Sequence, residues 1–521
     1  IALLISIPGY TQALINSGSF YMPHAQTGTM TNLLGLTDKT HLFENDELSF
    51  VFNAQTSFGR SMQEDKLAGY FTPNGTKTVV FGPRNAAGTS TSDVDVSSVN
   101  FQLERTSFKS TVTFNPKTTH WASNFGLFAD LANWVEGLYV QANLPLQYIK
   151  NELELTEASG TASAASYTAG DVSSGTPATS TGYTTAVAAL KGDKVVGDVV
   201  ARKYGKFDST QTHKIKVSDI TARIGYDFIR SENGHFGVNV GGLIAAGGKP
   251  DAVYVMEPIF GNAGRHGVIG GLNGHASIWS SDDDKELTVH LDGTAGYIFA
   301  NSQLRSYDLE NSGKWSRYLA VRKLTTIGTT GNTVYAGLDN VINIGTLHAK
   351  IGDYVNYDAN LLFNFQYNNF DVQLGYTFAG HSKEKHKGLT DTVATTYIIH
   401  NPATSALDQA SGTADATCAT GPAFLPINGN VTGITSTEVV TGTLTSVITN
   451  DFFDTDSVLA PSTMSHAVVG GLNYTWRDND WTPSLGLFGK AEFNGSHQTG
   501  TTDVANTANL YMVGVQGNVS F

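Results

Sequence analysis

Residues 219–244 read DITARIGYDFIRSENGHFGVNVGGLI, and their two-residue period decides the fold class. In an extended strand successive side chains face opposite sides. One face of the first strand carries Ile220, Ala222, Ile224, Tyr226 and Phe228; the other carries Asp219, Thr221, Arg223, Gly225 and Asp227. Ser231 to Gly234 make a tight turn. The next strand then sets Phe236, Val238, Val240, Gly242 and Ile244 against Gly237, Asn239 and Gly241. A strand of this length with one apolar face and one polar or small face suits a tilted crossing of a bilayer, lipid on one side and a polar interior on the other.

The same hairpin recurs downstream. Val268 to Ile278 leads through the polar turn Asp282 to Glu286 into Leu287 to Phe299. Tyr357 to Phe365 turns at Tyr367 to Asn369 into Phe370 to Phe378, and Val468 to Trp476 turns at Arg477 to Asp480 into Trp481 to Phe493. Upstream, alternation is present from Leu48 to Phe58, Phe108 to Phe114 and Leu138 to Tyr148. Weaker candidates at Asn124 to Leu131, Tyr318 to Lys323 and Ile342 to Ile351 bring the expectation to an all-β, transmembrane, antiparallel up-and-down β-barrel of about sixteen strands, with fourteen or eighteen as neighbours. Its barrel would span residues 47–521, with long loops at about 150–214, 247–265, 301–354 and 383–461. Such loops alternate with short turns, as expected when one end of a barrel faces the periplasm and the other the exterior.

Composition agrees. Of 521 residues only 15% are charged, against roughly 25% in an average soluble domain. No run of about 18 apolar residues could span as a helix, so a membrane crossing would have to be made by strands in a closed barrel. With 32 basic and 46 acidic residues, net charge −14, a nucleic-acid partner is not expected. Cys418, the one cysteine, can form no internal disulfide and sits in a Thr/Ala/Gly-rich stretch. Residues 1–46 form a separate N-terminal segment. Its start, Ile1 to Ala13, reads either as the remnant of a secretory signal or as a mature N-terminus packed inside or against the barrel.

The last strand, NLYMVGVQGNVSF, places Tyr511, Val513, Val515, Gly517, Val519 and Phe521 on one face and Met512, Gly514, Gln516, Asn518 and Ser520 on the other. A C-terminal Phe behind alternating apolar residues resembles the terminal strand of bacterial outer-membrane proteins. The architecture from Leu48 to Phe521 is similar to porins of the major outer-membrane protein type. That resemblance implies an outer-membrane location and recognition of Tyr511, Val513, Val515, Val519 and Phe521 by the outer-membrane assembly machinery. It also implies contact with lipid and lipopolysaccharide, a homo-oligomer, specifically a trimer, and passage of small hydrophilic solutes. The low cysteine count departs from disulfide-linked members of that type.

No catalytic, metal or cofactor site is expected. The Gly-Gly pairs (Gly241 with Gly242, Gly270 with Gly271, Gly470 with Gly471) lie inside strands rather than between a strand and a helix, so they make no phosphate loop. Asp282, Asp283 and Asp284 read as a solvated turn, and His266, His275 and His290 as polar lumen positions without metal-ligand spacing. No G-x-S-x-G elbow is present. The functional expectation is an aqueous pore for ions and small solutes, since a barrel of about sixteen strands is too wide for side chains to fill. Pore-lining charges would be Asp219, Arg223, Asp227, Asp292, Asp358, Asp371, Lys490 and Glu492, an acidic excess giving mild cation preference. A loop carrying Lys191, Lys194, Arg202, Lys203 and Lys206, folded inward, would reverse it. The alternative is a structural, surface-layer or adhesin-like barrel that acts through its external loops.

Overall fold

The computed structural model describes residues 19–20, 33–37, 39–41, 48–83, 94–104, 107–158, 182–208, 210–212, 215–281, 285–310, 312–327, 332–393, 397–399, 439–440, 447–477, 481–494, 496–499, 502–505 and 508–521. Cys418, residues 1–13 and the turn 282–284 lie outside them.

Twelve strands close into an antiparallel barrel. In chain order they are β1 (Ser49–Met62), β2 (Lys117–Asp130), β3 (Leu138–Glu152), β4 (Ile220–Ser231), β5 (Gly234–Ile244), β6 (Gly267–Ser281), β7 (Lys285–Ile298), β8 (Tyr354–Tyr367), β9 (Phe370–His381), β10 (Thr463–Thr475), β11 (Thr482–Asn494) and β12 (Asn509–Ser520). Each pairs with its sequence neighbour, and β12 pairs with β1 to close the ring. At that seam Phe50 and Phe521 exchange backbone hydrogen bonds of 2.9 and 3.0 Å. Two short strands, Thr210–Thr212 and Lys216–Val217, pair with the upper part of β3 beside the closed ring.

The expected alternation is seen side chain by side chain. Ile224, Tyr226, Val238, Val240, Leu272, Leu291, Leu361, Leu374, Leu487 and Val513 are all exposed on the outside, while Asp227, Asn239, Asn273, Asp292 and Asn364 between them are buried inside. Exposed aromatic residues cluster at both margins of this belt. Trp279, Tyr367, Phe370, Trp476, Trp481 and Phe521 stand at the short-turn end, and Phe58, Tyr297, Phe299 and Phe493 at the other, as interfacial girdles do.

The expected count of about sixteen strands is corrected to twelve. The segments around Phe108 to Phe114, Tyr318 to Lys323 and Ile342 to Ile351 do carry strands, at Ser110–Thr113, Ala320–Ile327 and Thr346–Gly352, but these belong to small separate sheets. Their alternation separates a protein core from water instead of lipid from a lumen, and the period is the same in both cases.

Those sheets sit in a cap built by the six long connections 63–116, 153–219, 245–266, 299–353, 382–462 and 495–508, all at one end of the barrel. One continuous hydrophobic core draws on every one of them, with Phe101, Phe207, Met256, Tyr318, Phe453 and Ala508 as representatives. Aromatic packing is dense there: Trp315 lies 5.0 Å from Phe207 and 5.6 Å from Tyr318 between ring centroids. The basic loop joins this cap. Arg202 stacks its guanidinium over Phe101 and Tyr318 at 4.9 and 5.2 Å and donates to Leu190 O at 3.2 Å, while Lys191 faces Asp193 at the surface. The basic loop, whose inward folding would have reversed the expected preference, is at Arg202 and Lys191 an element of the cap.

Candidate functional site

Twelve strands make a lumen intermediate between one that side chains fill and the open channel of sixteen or eighteen strands. The expectation of a lumen too wide to fill is therefore corrected. Part of the interior is filled by the chain itself. Leu33 to Thr37 enter at the short-turn end, where Leu34 packs on Leu362, Val469 and Phe488, and Leu36 on the group formed by Val51, Phe128 and Tyr139. Amides of the inner wall hold the segment's backbone. Gly35 N donates to Gln373 Oε1 at 3.2 Å, and Asn518 Nδ2 donates to Gly35 O at 3.1 Å. Gln373 Nε2 also donates to Thr37 Oγ1 at 3.1 Å, and Asn473 Nδ2 to Gln373 Oε1 at 2.9 Å.

Above this segment lies a lumen cavity of about 370 Å³. Its wall includes Asp219, Arg223, Asp292, Asp358, Lys490 and Glu492, six of the eight charged residues singled out in the sequence. Lys490 Nζ lies 3.0 Å from Glu492 Oε2, so this pair is internally neutral. Arg223 donates to Thr294 at 3.3 Å, and Asn360 Nδ2 donates to Asp358 Oδ1 at 2.7 Å. Asp219 sits just before β4, where its Oδ2 accepts from both the backbone and the side chain of Asn262 at 2.6 Å. Burial pushes this carboxyl up to about 6 against those hydrogen bonds.

The other two belong elsewhere. Asp371 lies near the short-turn end with Arg477 Nη2 at 3.2 Å, and Asp227 contacts His41. That contact opens a column of imidazoles along the inner wall, of which the sequence reading had only His275 and His290, as separate lumen positions: His41 stacks on His235 at 4.2 Å, His235 lies tilted against His275 at 4.5 Å, and His275 stacks on His290 at 5.3 Å. Nothing local could reveal it. His235 and His275 face each other through strand register, and His41 arrives from the N-terminal segment.

At the rim, Arg265 Nη1 donates to Glu384 Oε1 at 2.6 Å, and Arg305 Nη2 lies 3.2 Å from Glu384 Oε2, tying three of the cap connections together over the barrel mouth.

No protein family and no curated protein matches the chain. Among solved structures it is similar to an outer membrane channel from Pseudomonas putida F1, at 8% identity over 91% of this chain and 95% of that one, with a TM-score of 0.35. It is also similar to a mutant of the TodX monoaromatic hydrocarbon channel (10% identity, 92% and 91% coverage, TM-score 0.29) and to the translocator domain of the autotransporter NalP from Neisseria meningitidis (8% identity, 95% and 94% coverage, TM-score 0.27). At these scores the likeness carries no substrate. The class follows from the molecule's own geometry. An even-numbered closed barrel with an apolar belt, two aromatic girdles, short turns at one end and long connections at the other is an outer-membrane β-barrel. Its place is the bacterial outer membrane.

Proposed function

We propose that the protein is a narrow outer-membrane channel for passive diffusion of ions and small hydrophilic solutes, with a mild preference for cations. The lumen cavity carries the reading. Its wall holds four carboxylates (Asp219, Asp292, Asp358, Glu492) against two basic groups (Arg223, Lys490), which leaves a fixed negative excess. In a lumen this narrow, wall charges lie within the Debye length of about 8 Å from any ion in transit, so the excess acts on permeation. Residues 33–37, held in the lumen, keep conductance low. The test is planar-bilayer recording of the detergent-purified chain under a potassium chloride gradient. Small cation-preferring currents are expected, rising in a variant lacking residues 1–44; no current from either form would overturn the reading.

The same reading takes lipid and lipopolysaccharide as the surroundings of the belt, the outer-membrane assembly machinery as the partner of the C-terminal strand, and a homo-oligomer, a trimer by resemblance, as the assembly. A second reading, a surface-structural or adhesin-like barrel, is favoured by the cap, whose shared core makes a stable exterior domain out of what could have been independent loops.

A further inference from the structure

We propose that His41, Asp227 and His235 form a binding site for a late first-row divalent cation such as Zn²⁺, and that the bound ion fastens the N-terminal segment to the barrel wall. This inference does not rest on the channel reading.

The ligand atoms of His41, Asp227 and His235 all lie within 4.8 Å of one another, and His41 Nδ1 stands 2.6 Å from Asp227 Oδ2. Around a four-coordinate ion with bonds of about 2.0–2.2 Å, neighbouring ligand atoms stand roughly 3.3 Å apart, so the three reach one centre once one ring of the His41–His235 stack turns its nitrogen toward the other. Two imidazoles and one carboxylate suit zinc and its neighbours, not calcium or magnesium, which want oxygen. Asn273 Nδ2 lies 3.0 Å from His235 Nε2 and 3.4 Å from Asp227 Oδ1, a donor placed where two acceptors aim. Asn273 is itself fixed, because Tyr139 donates its hydroxyl to Asn273 Oδ1 at 2.7 Å. With Asp227 Oδ2 as the ligand atom, the Asn273 amide on Oδ1 orients the carboxylate from its far side, as hydrogen bonds to ligating carboxylates do. On the other side of His235, its Nδ1 meets His275 Nδ1, a contact that braces the ring from the side away from Asn273.

The wall is shaped for the cluster. The β4–β5 register shifts between Asp227 and Ile229, and β6–β7 shifts between Ser277 and Trp279, two residues beyond His275. Bulges re-aim the side chains beside them. Gly237 leaves the space, since a Cβ there would collide with the Asp227 carboxylate and the Tyr226 carbonyl. Asp227 is almost fully buried, and among the described residues its carboxylate contacts His41 and the Asn273 amide. A cation there would neutralise a buried charge.

The experiment is Zn²⁺ titration of the chelator-treated, detergent-purified full chain, with bound metal counted per barrel by atomic emission and folding checked by heat-modifiable gel migration. One equivalent is expected, lost in His41→Ala and in Asp227→Asn, weakened by about 10–100-fold in Asn273→Ala, and retained in His348→Ala, which removes the exposed His348–Asp391 pair of the cap. His41 lies outside the barrel strands, so its variant should keep the folded migration. No stoichiometric binding by the unmodified protein, or binding undiminished in folded His41→Ala, would overturn the proposal.

Discussion

The barrel wall and the cap are built from the same kind of strand and are opposite in section. In the wall the apolar faces look outward and the polar ones inward, whereas in the cap Phe101, Tyr318 and Leu338 are buried at 2% exposure or less and pack inward against one another's neighbours. The difference lies in the solvent. Lipid takes the apolar side chains of the wall, so the wall can leave its interior to amides and charges. The cap stands in water and must make a core of its own, with little hydrophobic area spared by the membrane. The two regions should therefore respond in opposite ways to the same substitution.

The largest effect should come from the buried ion pair of the cap. Asp308 accepts from the Arg317 backbone N and Nε at 2.9 Å, and its other oxygen lies 2.5 Å from Nη2. Asp308→Ala would leave the guanidinium buried without that partner and should destabilise the cap by about 3–5 kcal/mol. Limited proteolysis should then cut the long connections rapidly while the unheated barrel still migrates as folded. If barrel and cap were lost together, the two would be one cooperative unit.

Next comes the belt. Leu272→Arg or Leu361→Arg places a charge in lipid and should destabilise the barrel by about 2–4 kcal/mol if the site is near the midplane, read as a fall in urea midpoint after reconstitution. Leu338→Arg in the cap should do the reverse, abolishing cap resistance to protease and sparing the barrel.

A smaller effect follows from Glu257, whose carboxylate accepts from the Asp251 and Ala252 amides inside the cap and which burial pushes up to about 7. A raised carboxyl holds its proton more tightly in the folded cap than in the unfolded chain. Its stabilising contribution is therefore complete below about pH 4.5, declines as pH rises to about 7 and is level beyond. Cap protease resistance measured from pH 4.5 to 7 should fall along that course, and Glu257→Gln should flatten it; a slope unchanged in the variant would assign the dependence to another group.

The smallest effect is a few millivolts of reversal potential from the lumen face. Asp219 titrates near 6, so cation preference should weaken as pH drops below that value, and Asp219→Asn should remove the change. A preference insensitive to both would place the selecting charges elsewhere in the wall.

The twelve wall strands were legible because each must satisfy lipid on one side, and residues such as Ile224, Val240 and Leu487 mark that side at every second position. The strand count was not. Val112, Val321 and Ile351 also sit in alternating stretches, yet they point into the cap core, and periodicity records that two faces differ without naming the medium on either. The lumen charges could be read because they fall between lipid-facing neighbours. The imidazole column could not. His235, His275 and His290 stand on three successive strands, and it takes their register, together with a segment entering from the N-terminus, to bring four rings into one line.

The seam where Phe50 meets Phe521 also sets an order of events. Most wall pairings join neighbours in sequence and can zip as they are made, but this one joins nearly the two extremes of the chain and has the highest closure cost in the ring. It is the last to form. Residues 33–41 immediately precede the strand that makes it, so until that moment they can reach the interior sideways, through the open gap between β1 and β12. Once the gap is shut, the way in or out is lengthwise through the short-turn mouth. Insertion of the segment sideways therefore has to precede closure of the seam, and withdrawal afterwards runs along the axis without reopening the wall.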